Sequence, residues 1–155
     1  MWMVVAIVVA IADQVAKWAI VEWVPLYDTM PLNSFINLTH QKNPGAAFSF
    51  LADAGGWQRW FFVALASGVS AVIAVWLWRI RNDGKTVLSA GLALVLGGAV
   101  GNLVDRILLG HVTDFIQVWF GNWAFPSFNI ADAGISVGAA LLIIDALLLS
   151  GRDKK

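Results

Sequence analysis

Two stretches of this chain, Trp60–Trp78 and Thr86–Val104, each run 19 residues without an Asp, Glu, Lys or Arg. A helix needs roughly 20 mostly apolar residues to cross a bilayer. Inside hydrocarbon the backbone must satisfy its own hydrogen bonds, so such runs read as spanning helices. Two further candidates flank them. One covers about 2–23 and is interrupted by Asp13, Lys17 and Glu22; the other covers about 130–150, with Asp132 at its start and Asp145 near its end. The expectation is one integral membrane domain over residues 1–155, with helices at about 2–23, 58–79, 86–107 and 130–150 and outer segments at about 25–56 and 110–128. Composition agrees: 59% of residues are hydrophobic and 13% charged, against about 45–50% and about 25% in soluble domains.

Orientation follows from Lys and Arg in short loops, which favour the cytoplasm. The link between the second and third spans carries Arg79, Arg81 and Lys85, and the C-terminal tail carries Arg152, Lys154 and Lys155. The loop after the first span has Lys42 alone, and the segment from about His111 to Phe128 has neither Lys nor Arg. Both termini are therefore expected inside. Trp18, Trp23, Trp57, Trp60, Trp119 and Trp123 would form an outer aromatic belt, with Trp2, Trp76 and Trp78 on the inner side. Ala10-Ile11-Ala12 matches a signal-peptide cleavage pattern. No basic residue precedes the apolar run, however, and the run continues past Asp13, so a retained first helix is favoured.

The outer segments have strand character. Ser34-Phe-Ile-Asn-Leu-Thr-His40 is a β-rich run followed by a turn signal at Asn43-Pro-Gly45, and Val112–Phe120 reads as a second strand. Alternation places Asp114 on one face with Val112, Ile116, Val118 and Phe120. The fold class expected is an all-α membrane protein: four transmembrane helices with a small extracytoplasmic β-sheet at the outer membrane surface.

Some chemistry is excluded. Ten acidic and ten basic side chains cancel, which argues against a nucleic-acid partner. The absence of cysteine removes disulfides, thiol catalysis and Cys-type zinc sites. Neither histidine falls in a ligand cluster, so no metal or other cofactor is expected.

Against this background the ionisable groups beside apolar sequence stand out, because each is costly in lipid unless paired or facing a wet cavity. Asn102, Asp105 and Arg106 lie on one helix face, and an Asp105–Arg106 pair at the helix end is the simplest reading. Asn129 followed by Asp132 is an ordinary helix start, with an Asn N-cap and an acid at N3. Asp13 and Lys17, spaced i and i+4, read as an internal ion pair. Yet Asp105, Asp114 and Asp132 should all fall at one depth, the outer boundary of the bilayer. Two carboxylates sharing a proton there can activate water and protonate a leaving amine. Residue type and depth leave open which two they are. A proton-coupled transporter would place its acids near the midplane, often in repeated halves; no repeat is evident.

Five segments in order, Asp13-Gln-Val-Ala-Lys17, Asn43-Pro-Gly-Ala-Ala-Phe-Ser-Phe50, Gly101-Asn-Leu-Val-Asp-Arg106, Gly110-His-Val-Thr-Asp-Phe115 and Phe128-Asn-Ile-Ala-Asp132, resemble the bacterial lipoprotein signal peptidases, or signal peptidase II. The resemblance implies an intramembrane aspartic endopeptidase of the inner membrane, with its active site at the outer face. Its substrates would be diacylglyceryl-modified prolipoproteins, cut just before the lipid-modified cysteine. By motif, Asp114 and Asp132 would be the catalytic pair. Asn43, Asn102, Asp105, Arg106 and Asn129 would support them or hold substrate, and Asp13 and Lys17 would be a structural polar pair. The resemblance also implies contact with membrane lipid, inhibition by globomycin-type cyclic peptides and a monomeric enzyme.

Overall fold

The structure, a computed structural model, describes residues 1–45 and 56–149. The second half of the Asn43–Phe50 motif and the basic tail at Arg152, Lys154 and Lys155 lie outside the described residues.

Four helices form as expected: α1 (Trp2–Trp23), α2 (Trp57–Arg79), α3 (Thr86–Leu108) and α4 (Ile130–Ile144). All are long and apolar enough to span a membrane, α4 by continuing into the turn that follows it. This is a multi-pass membrane protein. The one difference is at the end of α4, where the last turn, Asp145–Leu149, widens into a π-helix. Two helix termini have a local cause. The extended residue Val24 precedes Pro25, which disfavours helical backbone before it. At the start of α4, Asn129 accepts from the Asp132 backbone N–H while the Asp132 side chain accepts from that of Asn129, a reciprocal capping box.

The bundle is built around α3, which packs against α1, α2 and α4. Small residues on α3 allow this close approach. At Gly98 an added Cβ would collide with the Ala131 carbonyl of α4, and at Gly101 it would come within 2.7 Å of Asp13 Oδ2 on α1. In lipid, where apolar side chains gain little by leaving their surroundings, such backbone proximity carries helix association. Away from the sheet, Ala6, Ile73, Leu77, Ile80, Leu92, Ala93 and Leu96 form an aliphatic core. The outward surface is apolar, and Trp18, Trp23, Trp57, Trp60, Trp76, Trp78 and Trp123 are all exposed on it.

At one end of the bundle lies a four-stranded antiparallel sheet in chain order: β1 (Thr29–Pro31), β2 (Ile36–Asn43), β3 (Val112–Phe120) and β4 (Trp123–Ala124). Its first half buries both faces of β3, from Val112 to Phe115, and the strand then runs outward to an exposed Phe120. A bulge interrupts β2. Leu38 pairs with Ile116, but Gln41 pairs with Asp114 and Asn43 with Val112. Directly opposed residues share a face, so the extra residue reverses the alternation of β2. Leu38 can then pack on the Ile20, Val24 and Phe115 cluster while Asn43 still lies on the face of Asp114. Without the bulge, Asn43 would point away.

Candidate active site

The expected site residues arrive from five elements. Helix α1 brings Asp13 and Lys17, β2 brings Asn43, α3 brings Asn102, Asp105 and Arg106, β3 brings Asp114, and the start of α4 brings Asn129 and Asp132. Phe128 exchanges backbone hydrogen bonds with Ile116, which sets the cap of α4 beside β3. Asn43, Asn102, Arg106, Asp114 and Asp132 line one cleft of about 550 Å³. Its apolar wall includes Val112, Phe128, Ile135 and Val137, and Ser136 and Val137 lie on the exposed face of α4. Asp13, Lys17, Asp105 and Asn129 stand behind that wall, buried.

Three amides serve the two carboxylates in one pattern. The Asn129 amide nitrogen donates to Asp114 Oδ1 at 2.8 Å, and Asn43 donates to Asp114 Oδ2 at 3.0 Å. Asn102 donates to Asp132 Oδ1 at 2.8 Å. In each case the amide oxygen is held by a group that can only donate. For Asn129 this is the Asp132 backbone N–H, for Asn43 the Gly45 backbone N–H, and for Asn102 the Lys17 ammonium. An amide flips end for end at no cost in shape, so its hydrogen-bond partners alone decide its orientation. The oxygen faces the obligate donor, and the NH₂ must face the carboxylate.

Burial pushes the Asp114 carboxyl from its ordinary 3.8 up to about 7, and the nearby Asp132 charge adds to the rise; hydrogen bonds from Asn43 and Asn129 oppose it. Near neutral pH, then, one acid of the cleft holds a proton for part of the time. Two carboxyl groups in this state can supply a base for water and an acid for the group it attacks.

Asp105 does not pair with Arg106. It pairs instead with Lys17 at 2.9 Å, and accepts from Gln14 at 2.8 Å and from the Thr113 backbone N–H at 3.0 Å. Consecutive residues on a helix point about 100° apart, so the two side chains diverge. The Arg106 guanidinium reaches the Gly45 carbonyl at 3.0 Å, that of Asn102 at 3.4 Å, and the Phe62 ring face. The expected Asp13–Lys17 pair forms, at 2.7 Å, but it belongs to a larger cluster. The N-cap at Asn129 also forms, and of the two residues that make it Asp132 lines the cleft while Asn129 holds Asp114 from behind it.

Sequence reasoning passed over Gln14 and Arg59. Gln14 donates to Asp105 and to the Gly101 carbonyl, a role signalled only by its place beside Asp13 in an otherwise apolar helix. Arg59 donates to the carbonyls of Arg106 and Ile107, closing the C-terminal end of α3. A cation at a helix C-terminus is favourable, but nothing in sequence spacing links residues 59 and 106.

A family model described as Signal peptidase (SPase) II matches residues 5–148. A lipoprotein signal peptidase of Yersinia pseudotuberculosis serotype O:1b is 46% identical over 95% of this chain and 86% of its own length. One from Yersinia pestis (strain Pestoides F) shows the same identity and coverage, 46%, 95% and 86%. Among solved structures, a bacterial membrane enzyme at 2.3 Å resolution superposes with a TM-score of 0.79 at 32% identity, covering 99% of this chain and 91% of that one. A second, at 1.9 Å, gives 0.74 at 29% identity over 96% and 93%.

Proposed function

This chain belongs to the signal peptidase II family, and from that premise we propose that it is an intramembrane aspartic endopeptidase, with Asp114 and Asp132 as its catalytic pair. Its substrates are diacylglyceryl-modified prolipoproteins, cut just before the lipid-bearing cysteine. The observation that carries this reading is the pair of carboxyl groups in one cleft, each aimed by a side-chain amide of fixed orientation.

In this reading Asp132, as the carboxylate, takes a proton from water as the water oxygen attacks the scissile carbonyl. Asp114, holding the proton that its burial favours, gives it to the carbonyl oxygen. The tetrahedral gem-diol then collapses: the proton on Asp132 passes to the cysteine nitrogen, the C–N bond breaks, and Asp114 recovers a proton from the gem-diol. The signal peptide leaves as a carboxylic acid and the lipoprotein as an amine. Asn43, Asn102 and Asn129 hold the two acids, and Arg106 and the apolar wall receive the substrate chain. The exposed α4 face at the cleft supports lateral arrival of an acyl-anchored substrate from the bilayer, so the lipid helps set the cleavage position. The enzyme needs no metal, acts as a monomer, and is blocked by globomycin-type cyclic peptides.

The sheet end faces the outside of the bacterial inner membrane and both termini face the cytoplasm, as the Lys and Arg distribution favours. A reporter fused at Asp83 reads cytoplasmic; an external reading would overturn this orientation. The functional test is incubation of purified protein with a prolipoprotein bearing the diacylglyceryl cysteine, beside the same substrate unmodified. The lipidated substrate releases its signal peptide and the other is cut poorly or not at all. Equal cleavage of the two would remove lipid from recognition, and a chelator-sensitive activity restored by metal would sink the aspartic mechanism.

A further inference from the structure

Lys17 is a buried ammonium on α1, 4% exposed. It has three N–H donors and three acceptors: Asp13 Oδ2 at 2.7 Å, Asp105 Oδ2 at 2.9 Å and Asn102 Oδ1 at 2.8 Å. Each acceptor leads one step further toward the candidate pair. Asn102 donates to the Asp132 side chain. Asp13 accepts at 2.9 Å from the backbone N–H of Ala131, next to Asp132. Asp105 accepts from the backbone N–H of Thr113, next to Asp114. One side chain outside the cleft thus touches a side-chain tether of Asp132 and a backbone tether beside each of the two acids.

We propose that Lys17 is a positioning residue of the peptidase reaction: its ammonium holds Oδ1 of Asn102 and thereby presents the Asn102 NH₂ to Asp132, while its two carboxylate partners register α4 and β3 against α1. The inference rests on the assignment of Asp114 and Asp132 as the catalytic pair. A static ion pair would need only Asp13 and Lys17 on one helix. What marks Lys17 as more is its bond to Asn102, whose amide oxygen has besides it only the longer contact from Asn129 among the described residues. Without the ammonium, the remaining contact on Oδ1 is the Asn129 NH₂ at 3.2 Å; one hydrogen of that group goes to Asp114 at 2.8 Å and the other is shared with the Thr113 carbonyl at 3.3 Å. The Asn102 amide is then held by weaker contacts, and its NH₂ is presented to Asp132 less rigidly.

Lys17→Met alone leaves Asp13 and Asp105 buried without their cation, and such uncompensated charge is strongly destabilising. The informative variant is therefore Lys17→Met/Asp105→Asn, which keeps the formal charge of the cluster, compared with Asp105→Asn alone. Each is purified with the full chain in detergent, checked by thermal unfolding, and assayed on a diacylglyceryl-modified prolipoprotein peptide. At matched folded concentration, removing Lys17 in the Asp105→Asn background lowers kcat by a further 10- to 100-fold, about the effect of losing outer-shell partners at metal sites. KM moves little, because the lipid and the cleft wall are untouched. The acid limb of the pH profile moves to higher pH as the amide donor to the pair weakens. With Lys17 and Asp105 replaced, the charged groups left around the pair are Asp13 on α1 and Arg106 on α3; β2 contributes the neutral Asn43. A double variant with the kcat and pH profile of Asp105→Asn, even if less thermostable, makes Lys17 a structural ion and overturns the proposal. An Asp132→Asn arm in the same assay separates this from the underlying reading: if that variant still turns over, the catalytic pair is wrongly assigned whatever Lys17 does.

Discussion

The two ends of the helical bundle are buried to similar degrees but held together by different forces. Away from the sheet, α1, α2 and α3 meet through Ala6, Ile73, Leu77, Leu92, Ala93 and Leu96, apolar side chains in contact with one another. At the sheet end, α1, α3 and α4 meet through Asp13, Gln14, Lys17, Asn102, Asp105 and Asn129, joined by directed hydrogen bonds. In lipid the apolar end is held by packing, which depends on shape and proximity. A hydrogen bond also depends on angle, and weakens steeply when misaligned. Either kind of contact can keep helices together, but the second also fixes the direction from which a carboxyl oxygen is held.

This contrast divides substitutions into two classes. The largest effect belongs to Asp114→Asn and Asp132→Asn. In the proposed mechanism each removes a proton carrier of the cleft, and acid–base catalysis typically supplies about 10²–10⁴-fold per group. Turnover falls by about 10⁴-fold or below detection while folding and membrane insertion persist, as single-turnover cleavage at matched folded concentration measures. Activity within tenfold of the parent in either variant would show that the polar end is structural after all. The parent's own pH dependence sharpens the point. Its cleavage rate declines as pH rises through about 7 and Asp114 loses its proton. The stability contribution has the same sign: a carboxyl raised by folding stabilises the native state below its ordinary value and loses that contribution as pH climbs through about 7. Thermal unfolding followed from pH 4 to pH 9 shows this decline in the parent, and Asp114→Asn lacks it.

The smallest effect on chemistry, though not on stability, comes from the apolar end. Leu92 is 1% exposed, and Leu92→Ala costs about 2–5 kcal/mol for the contacts and cavity it leaves. The melting temperature drops, yet kcat per folded molecule stays within about threefold. A tenfold loss in kcat with an unchanged folded fraction would break the comparison, because packing alone would then be placing the acids.

Much of this molecule was legible in its residues. Four spans followed from the length of apolar runs, since a bilayer imposes one thickness on every helix. The strand at Val112–Phe120 followed from alternation, and the cap at Asn129 from a local rule that needs no partner beyond the next turn. The family motifs pointed to Asn43, Asn102, Arg106, Asp114 and Asp132, which line the cleft, but not to Ser127 or Ser136, which line it too. Tertiary structure decided what one-dimensional spacing cannot encode, namely which partner each buried polar group takes. Asp105 and Arg106 are neighbours in sequence and diverge in space. Lys17, four residues from Asp13, spends its remaining donors on Asn102 and Asp105, across the seam with α3. The bulge in β2, by reversing one alternation, sends Asn43 to Asp114. Length and hydropathy are properties of a segment and can be read from it. The orientation of an amide belongs to the pair of groups it bridges, and exists only once helices and sheet have met.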